Sequence, residues 1–256
     1  MRIAAVAAAA AALALSATAL AGKGGNGHLV TETRNVRGFT AVEIQVPMDV
    51  AVREGREFQV KVTVDEDLVS AVKTELRGDT LVVRADRNID PSGDARVEIT
   101  LPDLRAVGAA GSGNVSATTN RRKDMSLAHA GSGDLVYRGP AAHLKVGSTG
   151  SGDVTVELTG DVEDVEVGSK GSGDILIKGG HARELVAASA GSGSIQAEDL
   201  TAHDGKLATS ASGDIEATLE GGHASFAVAG SGSITWHGSA DISSQARAGS
   251  GDIVHE

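Results

Sequence analysis

The 256-residue chain contains no cysteine. Disulfide bridges and thiolate metal sites are therefore excluded, and so is lipid attachment at a cysteine. Aromatic side chains are also scarce, with three Phe, one Tyr and one Trp. Because a compact globule usually fills its core with more large side chains, this scarcity favours a narrow molecule filled by Val, Ile, Leu and Ala.

Positive charge is in short supply as well. The chain has 23 Lys and Arg against 34 Asp and Glu, a formal net charge of −11. Its only basic run is Arg121-Arg122-Lys123, which we interpret as a solvated turn. Nucleic-acid binding needs clustered cations against phosphate, so we predict no nucleic-acid partner. The same balance argues against binding to an anionic membrane surface.

The first 21 residues predict a cleaved secretory signal peptide. Met1-Arg2 supplies a positive charge, Ile3 to Leu15 is an unbroken apolar run, and Ala19-Leu20-Ala21 is a small-x-small cleavage site. The alternative is a transmembrane anchor, which needs about 20 apolar residues and a basic flank. The apolar run from Ile3 to Leu15 is shorter than that. We therefore expect an exported protein, periplasmic or at the cell surface, with no integral membrane span after cleavage. Residues 22–35, polar with a Gly-rich start, are expected to form a flexible leader.

The most informative feature is a Gly-Ser-Gly-Asp type of turn that occurs eight times. The copies begin at residues 111, 131, 150, 171, 191, 211, 230 and 249, so the steps are 20, 19, 21, 20, 20, 19 and 19. Such regularity is typical of a repeat protein. The turn glycines, which we predict to be structural, are Gly111, Gly113, Gly131, Gly133, Gly150, Gly152, Gly171, Gly173, Gly191, Gly193, Gly213, Gly230, Gly232, Gly249 and Gly251.

Hydrophobicity alternates with period two on both sides of each turn, as in Val165-Glu166-Val167 and Ile215-Glu216-Ala217. This alternation indicates half-buried strands. Two strands, the Gly-Ser-Gly bend and a second polar turn would complete one coil of about twenty residues. The sequence therefore predicts an all-β parallel β-helix over residues 105–256, whereas a sandwich of hairpins would not require one identical turn per coil. Glycine suits the turn because a tight bend often needs positive φ and stacked coils leave little room for a Cβ atom.

The segment before the repeats is also mostly strand. We expect residues 36–104 to form the first coils and to cap one end of the solenoid. Asp65 to Leu76 is the one helix-like piece, because Leu68, Val72 and Leu76 are four residues apart and Asp65 is a candidate N-cap.

An ordered set of landmarks resembles a known family. Arg37-Gly38-Phe39-Thr40-Ala41-Val42 comes first, Gly78-Asp79-Thr80-Leu81 and Leu101-Pro102-Asp103-Leu104 follow, and the Gly-Ser-Gly-Asp repeats complete the order. Over residues 34–256 the chain resembles the autotransporter adhesin "head GIN domain" family of bacterial exported proteins. The resemblance implies a right-handed parallel β-helix and a surface or periplasmic setting, and it supplies no catalytic residue.

Stacked acids in the turns raise the question of a metal. Asp134, Asp153 and Asp174 lie in three adjacent coils, and carboxylates about 5 Å apart repel unless a cation lies between them. Calcium is therefore a candidate cofactor, and solvated turn caps are the alternative. The nonapeptide period of the known calcium-binding β-helix repeat is absent. No His-x-His or His-x3-His cluster suggests a transition metal.

Enzymatic function is the second class to weigh, because β-helices also carry polysaccharide lyases and hydrolases. The nearest acidic candidates are Glu163-Asp164 and His203-Asp204, and both are typical of polar turns. The Ser column from Ser112 to Ser250 has no His at a fixed offset, so we interpret it as a structural hydroxyl ladder. We predict a non-catalytic adhesin or envelope scaffold that binds a protein or glycan. An open edge at Ile253-Val254 would also allow self-association.

Overall fold

A computed structural model describes residues 22–256, so the predicted signal peptide at residues 1–21 lies outside the described residues. The regular structure of the described part is entirely β-strand. The first nine strands precede the repeats: β1 (Lys23–Gly24), β2 (Leu29–Arg34), β3 (Ala41–Gln45), β4 (Asp49–Glu54), β5 (Gln59–Asp65), β6 (Val72–Arg77), β7 (Thr80–Ala85), β8 (Ile89–Asp90) and β9 (Arg96–Leu101).

The other fifteen strands belong to the repeats. They are β10 (Ala106–Ala109), β11 (Val115–Thr118), β12 (Met125–His129), β13 (Leu135–Gly139), β14 (His143–Ser148), β15 (Val154–Leu158), β16 (Asp161–Ser169), β17 (Ile175–Lys178), β18 (His181–Ser189), β19 (Ile195–Thr209), β20 (Ile215–Leu219), β21 (His223–Val228), β22 (Ile234–Gly238), β23 (Asp241–Arg247) and β24 (Ile253–His255). Among residues 22–256, no helix is long and apolar enough to cross a membrane.

The repeats form two stacks of parallel strands joined by the Gly-Ser-Gly corner. One stack runs β10, β12, β14, β16, β18, β19, β21 and β23. The other runs β11, β13, β15, β17, β19, β20, β22 and β24. Strand β19 belongs to both stacks because it continues around the second corner. The predicted parallel β-helix of about twenty residues per coil is confirmed.

Like residues lie above like residues in the core. Ile175 is in register with Ile195, Ile195 with Ile215, and Ile215 with Ile234, and all four are buried. Each fully buried aliphatic side chain contributes about 1.5–3 kcal/mol. A slip of one residue would turn this whole column toward solvent, so the period-two pattern fixes the register of the coils.

The N-terminal segment is wound in a different order. Strands β3 and β4 form a coil that pairs with β10 and β11 on one side and with β7 and β9 on the other. Beyond that outer coil the pairing becomes antiparallel, as β6 joins β7, β5 joins β9 and β2 joins β5. These antiparallel strands cover the end of the core formed by the parallel coils.

Two expectations for this segment are wrong. Residues 66–71 are turns and Val72–Arg77 is strand β6, so the helix expected from Asp65 to Leu76 does not form. Leu68 is buried in the turn, whereas Leu76 is 47% exposed, so the four-residue spacing does not define one apolar face. The leader over residues 22–35 is also not free of structure, because it contains β1, paired with β8, and β2, paired with β5.

One buried carboxylate ties the leader to the cap. Asp65 is fully buried and accepts hydrogen bonds from the Gly27 amide at 2.7 Å and the Ser92 amide at 2.8 Å. It also accepts one from the Ser92 hydroxyl at 2.6 Å. The bonds from Ser92 and Gly27 lower the pKa of Asp65 to about 2 although burial opposes the shift. Asp65 therefore joins three separate parts of the chain as an anion.

Candidate binding faces along the turn column

The glycines of the repeated corner leave no room for a side chain. A Cβ atom at Gly152 would lie 2.2 Å from the carbonyl oxygen of Gly133, and one at Gly173 would lie 2.1 Å from that of Gly152. Positive φ, the other reason we expected glycine there, occurs at only one of the fifteen, Gly249 at 135°. The repeated corner therefore selects glycine because successive coils touch backbone to backbone.

Positive φ belongs instead to the opposite corner. Gly160 and Gly179 have φ values of 79° and 70°, in the region that L side chains rarely adopt. Here a Cβ atom at Gly160 would meet nothing within 4 Å. Steric need thus dominates at the repeated corner. The second corner also needs positive φ, alone at Gly160 and together with a close contact at Gly238, where an added Cβ atom would lie 2.2 Å from the Leu219 carbonyl oxygen.

The residue after each Gly-Ser-Gly forms a ladder along the rod. The side chain of Asp134 accepts a hydrogen bond from the Asp153 amide at 2.9 Å, and that of Asp153 accepts one from the Asp174 amide at 2.8 Å. The same contact recurs without interruption between neighbouring coils. Its members in order are Asp49, Asn114, Asp134, Asp153, Asp174, Ser194, Asp214, Ser233 and Asp252.

This ladder gives the stacked acids a structural role. Asn114, Ser194 and Ser233 occupy the same positions with neutral oxygens, so the contact requires an acceptor and not a charge. Within residues 22–256, no group of three or more His, Asp or Glu side chains is arranged to hold a metal ion. Calcium binding at Asp134, Asp153 and Asp174 stays a prediction.

The serines of the turns lie on the outside of the same corner. Ser112, Ser132 and Ser151 are exposed, and the amides of Ser132 and Ser151 donate to the carbonyl oxygens of Gly111 and Gly131 at 3.2 and 3.0 Å. A direct bond between neighbouring hydroxyls joins Ser231 to Ser212 at 3.2 Å. The backbone and the ladder residues hold the corner together, and the three exposed hydroxyls face solvent.

A row of polar side chains inside the corner was not foreseen from the sequence. His129 is fully buried, its Nε2 donates to the Gly133 carbonyl oxygen at 2.7 Å, and its Nδ1 lies 3.3 Å from the Ser148 hydroxyl. Ser189 and Thr209 bond the inward carbonyls of Gly193 and Gly213 at 3.3 and 2.7 Å. The sequence pattern that could have revealed this row is a polar residue at an inward-facing position, four residues before the second glycine of the turn.

A groove runs along the Ser column next to the cap. One wall is the connection from the end of β7 to β8, which includes Ala85, Arg87 and Ile89, and the floor is formed by three successive turns. The groove has a volume of about 1020 Å³. Its floor and far end contain Gln45, Val46, Pro47, Ala110, Gly111, Ser112, Ala130, Gly131, Ser132, Thr149, Gly150 and Ser151.

A second, more apolar groove of about 310 Å³ lies on the outer face of the first stack. Its floor is a column of small residues in register across the strands, Gly147, Gly168, Ala188, Ala208 and Ala227. Lys170 lies at its rim and is exposed.

The acids that we considered for catalysis are engaged in contacts between coils. Asp164 pairs with Arg183 and lies 3.1 Å from Nδ1 of His143, and Glu163 pairs with Arg122 at 3.2 Å. Asp204 accepts a hydrogen bond from the His223 amide at 2.8 Å, and this bond together with His203 lowers the pKa of Asp204 against the effect of burial. Both pairs lie on the polar second corner.

The basic run contacts the cap and is not the free solvated turn that we expected. Lys123 pairs with Glu54, whose side chain is 2% exposed, and with Asp103 at 2.6 Å. Burial raises the pKa of Glu54, but bonds from Lys123 and from the amides of Leu104 and Asn120 outweigh that effect and lower it. The run therefore fastens the first repeat coil to the cap.

The stacked coils, the ladder of side-chain acceptors and the capped end define a parallel β-solenoid with a long, regular outer surface. The chain belongs to the family described as "putative auto-transporter adhesin, head GIN domain", whose model matches residues 38–240. The expected family is thereby confirmed. No curated protein matches the chain.

Several solved structures share the fold. One described as a putative adhesin from Parabacteroides merdae has a TM-score of 0.79 at 20% identity, covering 91% of this chain and 98% of that one. One described as a putative lipid binding protein from Parabacteroides distasonis has a TM-score of 0.76 at 22% identity, with the same coverage. A putative adhesin from Bacteroides fragilis has a TM-score of 0.71 at 21% identity, covering 92% and 100%.

Proposed function

We propose that this chain is an exported, non-catalytic binding module of the adhesin type, acting in the periplasm or at the cell surface. The observation that carries the proposal is the architecture, a capped rod whose repeated corner presents a row of exposed hydroxyl groups beside a groove. The family to which the chain belongs is also described as adhesin-like. The predicted signal peptide at residues 1–21 supports export.

The engagement of the acids supports a non-catalytic role. Glycoside hydrolysis in most glycosidases uses two carboxyl groups that face one substrate position and are free to exchange protons. Asp164 is paired to Arg183 and His143, and Asp204 holds the His223 amide. These carboxylates act as fixed acceptors between coils.

Binding can be tested with the mature chain, residues 22–256, labelled with a fluorophore and added to intact and permeabilised bacterial cells. We expect saturable retention that excess unlabelled protein competes away. A thermally unfolded sample of the same protein is the control. Retention that is not saturable, or that is equal for the unfolded sample, would contradict the proposal.

The alternative is a polysaccharide-active enzyme on the same fold. It is tested by incubating the protein with a panel of acidic polysaccharides and measuring reducing ends and unsaturated products. We expect no product above a heat-treated control. Release that saturates with substrate would overturn the non-catalytic proposal.

Lipid binding is a second candidate because a similar structure is described as a putative lipid binding protein and this chain has an apolar groove. The groove between Glu166, Val186 and Lys170 presents mostly carbon to solvent. A fluorescent fatty acid would report occupancy, and Ala188→Glu would reduce it by placing a charge on the floor. An unchanged signal in that variant would remove this candidate.

A further inference from the structure

We propose that the groove between the cap wall and the Ser column binds a linear glycan that carries carboxylate groups. The inference rests on the proposed adhesin function and names its site and ligand class. Arg87 on the wall would bind a carboxylate, and the hydroxyls of Ser112, Ser132 and Ser151 on the floor would bind sugar hydroxyls.

The wall of the groove is held in place before any ligand arrives. Ile89 is 4% exposed and pairs with Lys23, whose amide donates to the Asn88 carbonyl oxygen at 3.0 Å. The Asp86 amide donates to the Ala71 carbonyl oxygen at 3.0 Å on the other side of Arg87. A preformed wall lowers the ordering cost of binding.

The floor offers a periodic set of polar groups. Ser112, Ser132 and Ser151 come from successive coils, so their hydroxyls recur about every 4.8 Å along the rod. Their backbone contacts do not use the hydroxyl groups, which are exposed and can both donate and accept. A ligand with hydroxyls at a comparable repeat, as in a chain of sugar rings, matches that spacing.

The charge of the groove selects among glycans. Arg87 is exposed and is the one ionised side chain that lines the groove. Because the net charge of −11 opposes an anionic ligand, this guanidinium alone must attract the carboxylate. No ion pair engages it within residues 22–256, whereas Lys73 already holds the adjacent Asp86 at 3.5 Å. A guanidinium binds a carboxylate through two parallel hydrogen bonds, so a uronic acid fits this position.

The size and lining set the character of the complex. A groove of about 1020 Å³ is larger than one sugar ring needs and suits a short oligosaccharide. No aromatic side chain lines it, so ring stacking adds nothing. Hydrogen bonds and one ion pair carry the affinity, and binding should weaken as salt is raised.

The test is calorimetric titration of residues 22–256 with oligogalacturonate and with its fully methyl-esterified, uncharged counterpart. We expect binding of the acid form and at least about tenfold weaker binding of the ester, since a charge-assisted hydrogen bond contributes about 1.5–3 kcal/mol. Arg87→Ala should cause a similar loss, and Ser132→Trp should block the floor. Lys178→Ala removes an exposed cation elsewhere on the rod and should leave binding unchanged. Urea unfolding verifies that each variant is folded.

Equal affinity for the acid and the ester, or a folded Arg87→Ala variant that binds as well as the natural chain, would overturn the proposal. So would the absence of binding to both ligands. The cell-retention experiment separates this failure from that of the adhesin function. If cells retain the Arg87→Ala and Ser132→Trp variants as well as the natural chain, the adhesin function stands and this groove is not its site.

Discussion

At the scale of the residue, glycine shows how one amino acid can be required for two reasons. Gly152 lies where a Cβ atom would meet the carbonyl oxygen of Gly133, and Gly168 lies in strand β16 with nothing within 4 Å of an added Cβ. Both positions have ordinary backbone conformations. The two positions therefore differ only in the space around an added Cβ atom, so substituting both isolates the steric requirement.

We predict that Gly152→Ala destabilises the protein by about 1–3 kcal/mol because the coils must separate to admit the methyl group. Gly168→Ala should be neutral or slightly stabilising because alanine restricts the unfolded chain. Urea unfolding followed by circular dichroism measures both. Equal effects of the two substitutions would contradict the steric explanation.

Asp65 predicts a pH dependence. Its folded pKa of about 2 lies below the unfolded value of 3.8, so its contribution is fully present above pH 4 and is lost as the pH falls toward 2. The contribution is about 2–2.5 kcal/mol, since one pKa unit corresponds to about 1.36 kcal/mol. Asp65→Asn should remove that part of the acid transition, whereas Asp90→Asn, at an exposed carboxylate of the same cap, should not. The free energy of unfolding, measured between pH 2 and 6, tests this prediction. Identical pH profiles for the two variants would show that Asp65 does not cause the acid transition.

At the scale of the element, the ladder and the basic run connect coils whose contacting residues are 19 or more positions apart in the sequence. Asp153 accepts an amide from the next coil, and Lys123 reaches back to Glu54 across 69 positions. The first contact repeats along the rod, and the second occurs once, at the junction of repeats and cap.

For the ladder, we predict that Asp153→Asn leaves stability nearly unchanged and that Asp153→Ala costs about 1 kcal/mol, because only alanine removes the acceptor. Thermal melts with and without calcium test this and the calcium prediction together. A rise in the melting temperature of the natural chain with calcium, lost in Asp153→Asn, would show that the charge has a second role.

For the junction, Lys123→Met should destabilise by about 2–3 kcal/mol, because the buried carboxylate of Glu54 loses its close cation and keeps only the more distant Arg121, at 3.9 Å. Adding Glu54→Gln should recover much of that loss. The exposed pair Lys145–Glu166 is the control, and Lys145→Met should cost less than about 1 kcal/mol. A double-mutant cycle in urea gives the coupling, and a coupling near zero would count against the junction.

Sequence alone predicted the repeating coils and the mostly β-strand cap, but it failed on the segment over residues 65–77 and on the leader. The period of the Gly-Ser-Gly corner reports a contact made by every coil, so the same residues recur. The turn and strand over residues 65–77 occur once, and the spacing of Leu68, Val72 and Leu76 is compatible with a helix as well. The groove wall around Arg87 and the leader strand β2 depend on long-range pairing that no local pattern encodes.

At the scale of the whole molecule, the last described layer differs from the layers beneath it. Gln245 is in register with Phe226, Arg247 with Val228 and His255 with Trp236, so polar groups replace apolar ones in three inward columns. His255 stacks on Trp236 at 3.8 Å between ring centroids. These polar side chains should disfavour stacking of another chain on this layer, against the self-association that we expected at Ile253-Val254.

We predict that the triple variant Gln245→Leu, Arg247→Val and His255→Leu self-associates, so that an oligomer appears whose fraction grows with protein concentration. The control is the double variant Ser244→Leu and Ala246→Val. These two positions are in register with Ser225 and Ala227, whose side chains point outward in strand β21. Sedimentation velocity over a hundredfold concentration range measures both. Equal association of the triple variant and the control would argue against a protective end layer.

The winding of the cap has a consequence for how the chain folds as it emerges from a ribosome. Strands β3 and β4 appear early but are completed only by β7, β9, β10 and β11, the last of which ends at Thr118. Each later coil needs only the coil before it. Assembly should thus begin with a slow closure over the first hundred or so residues and continue by fast addition, one turn at a time.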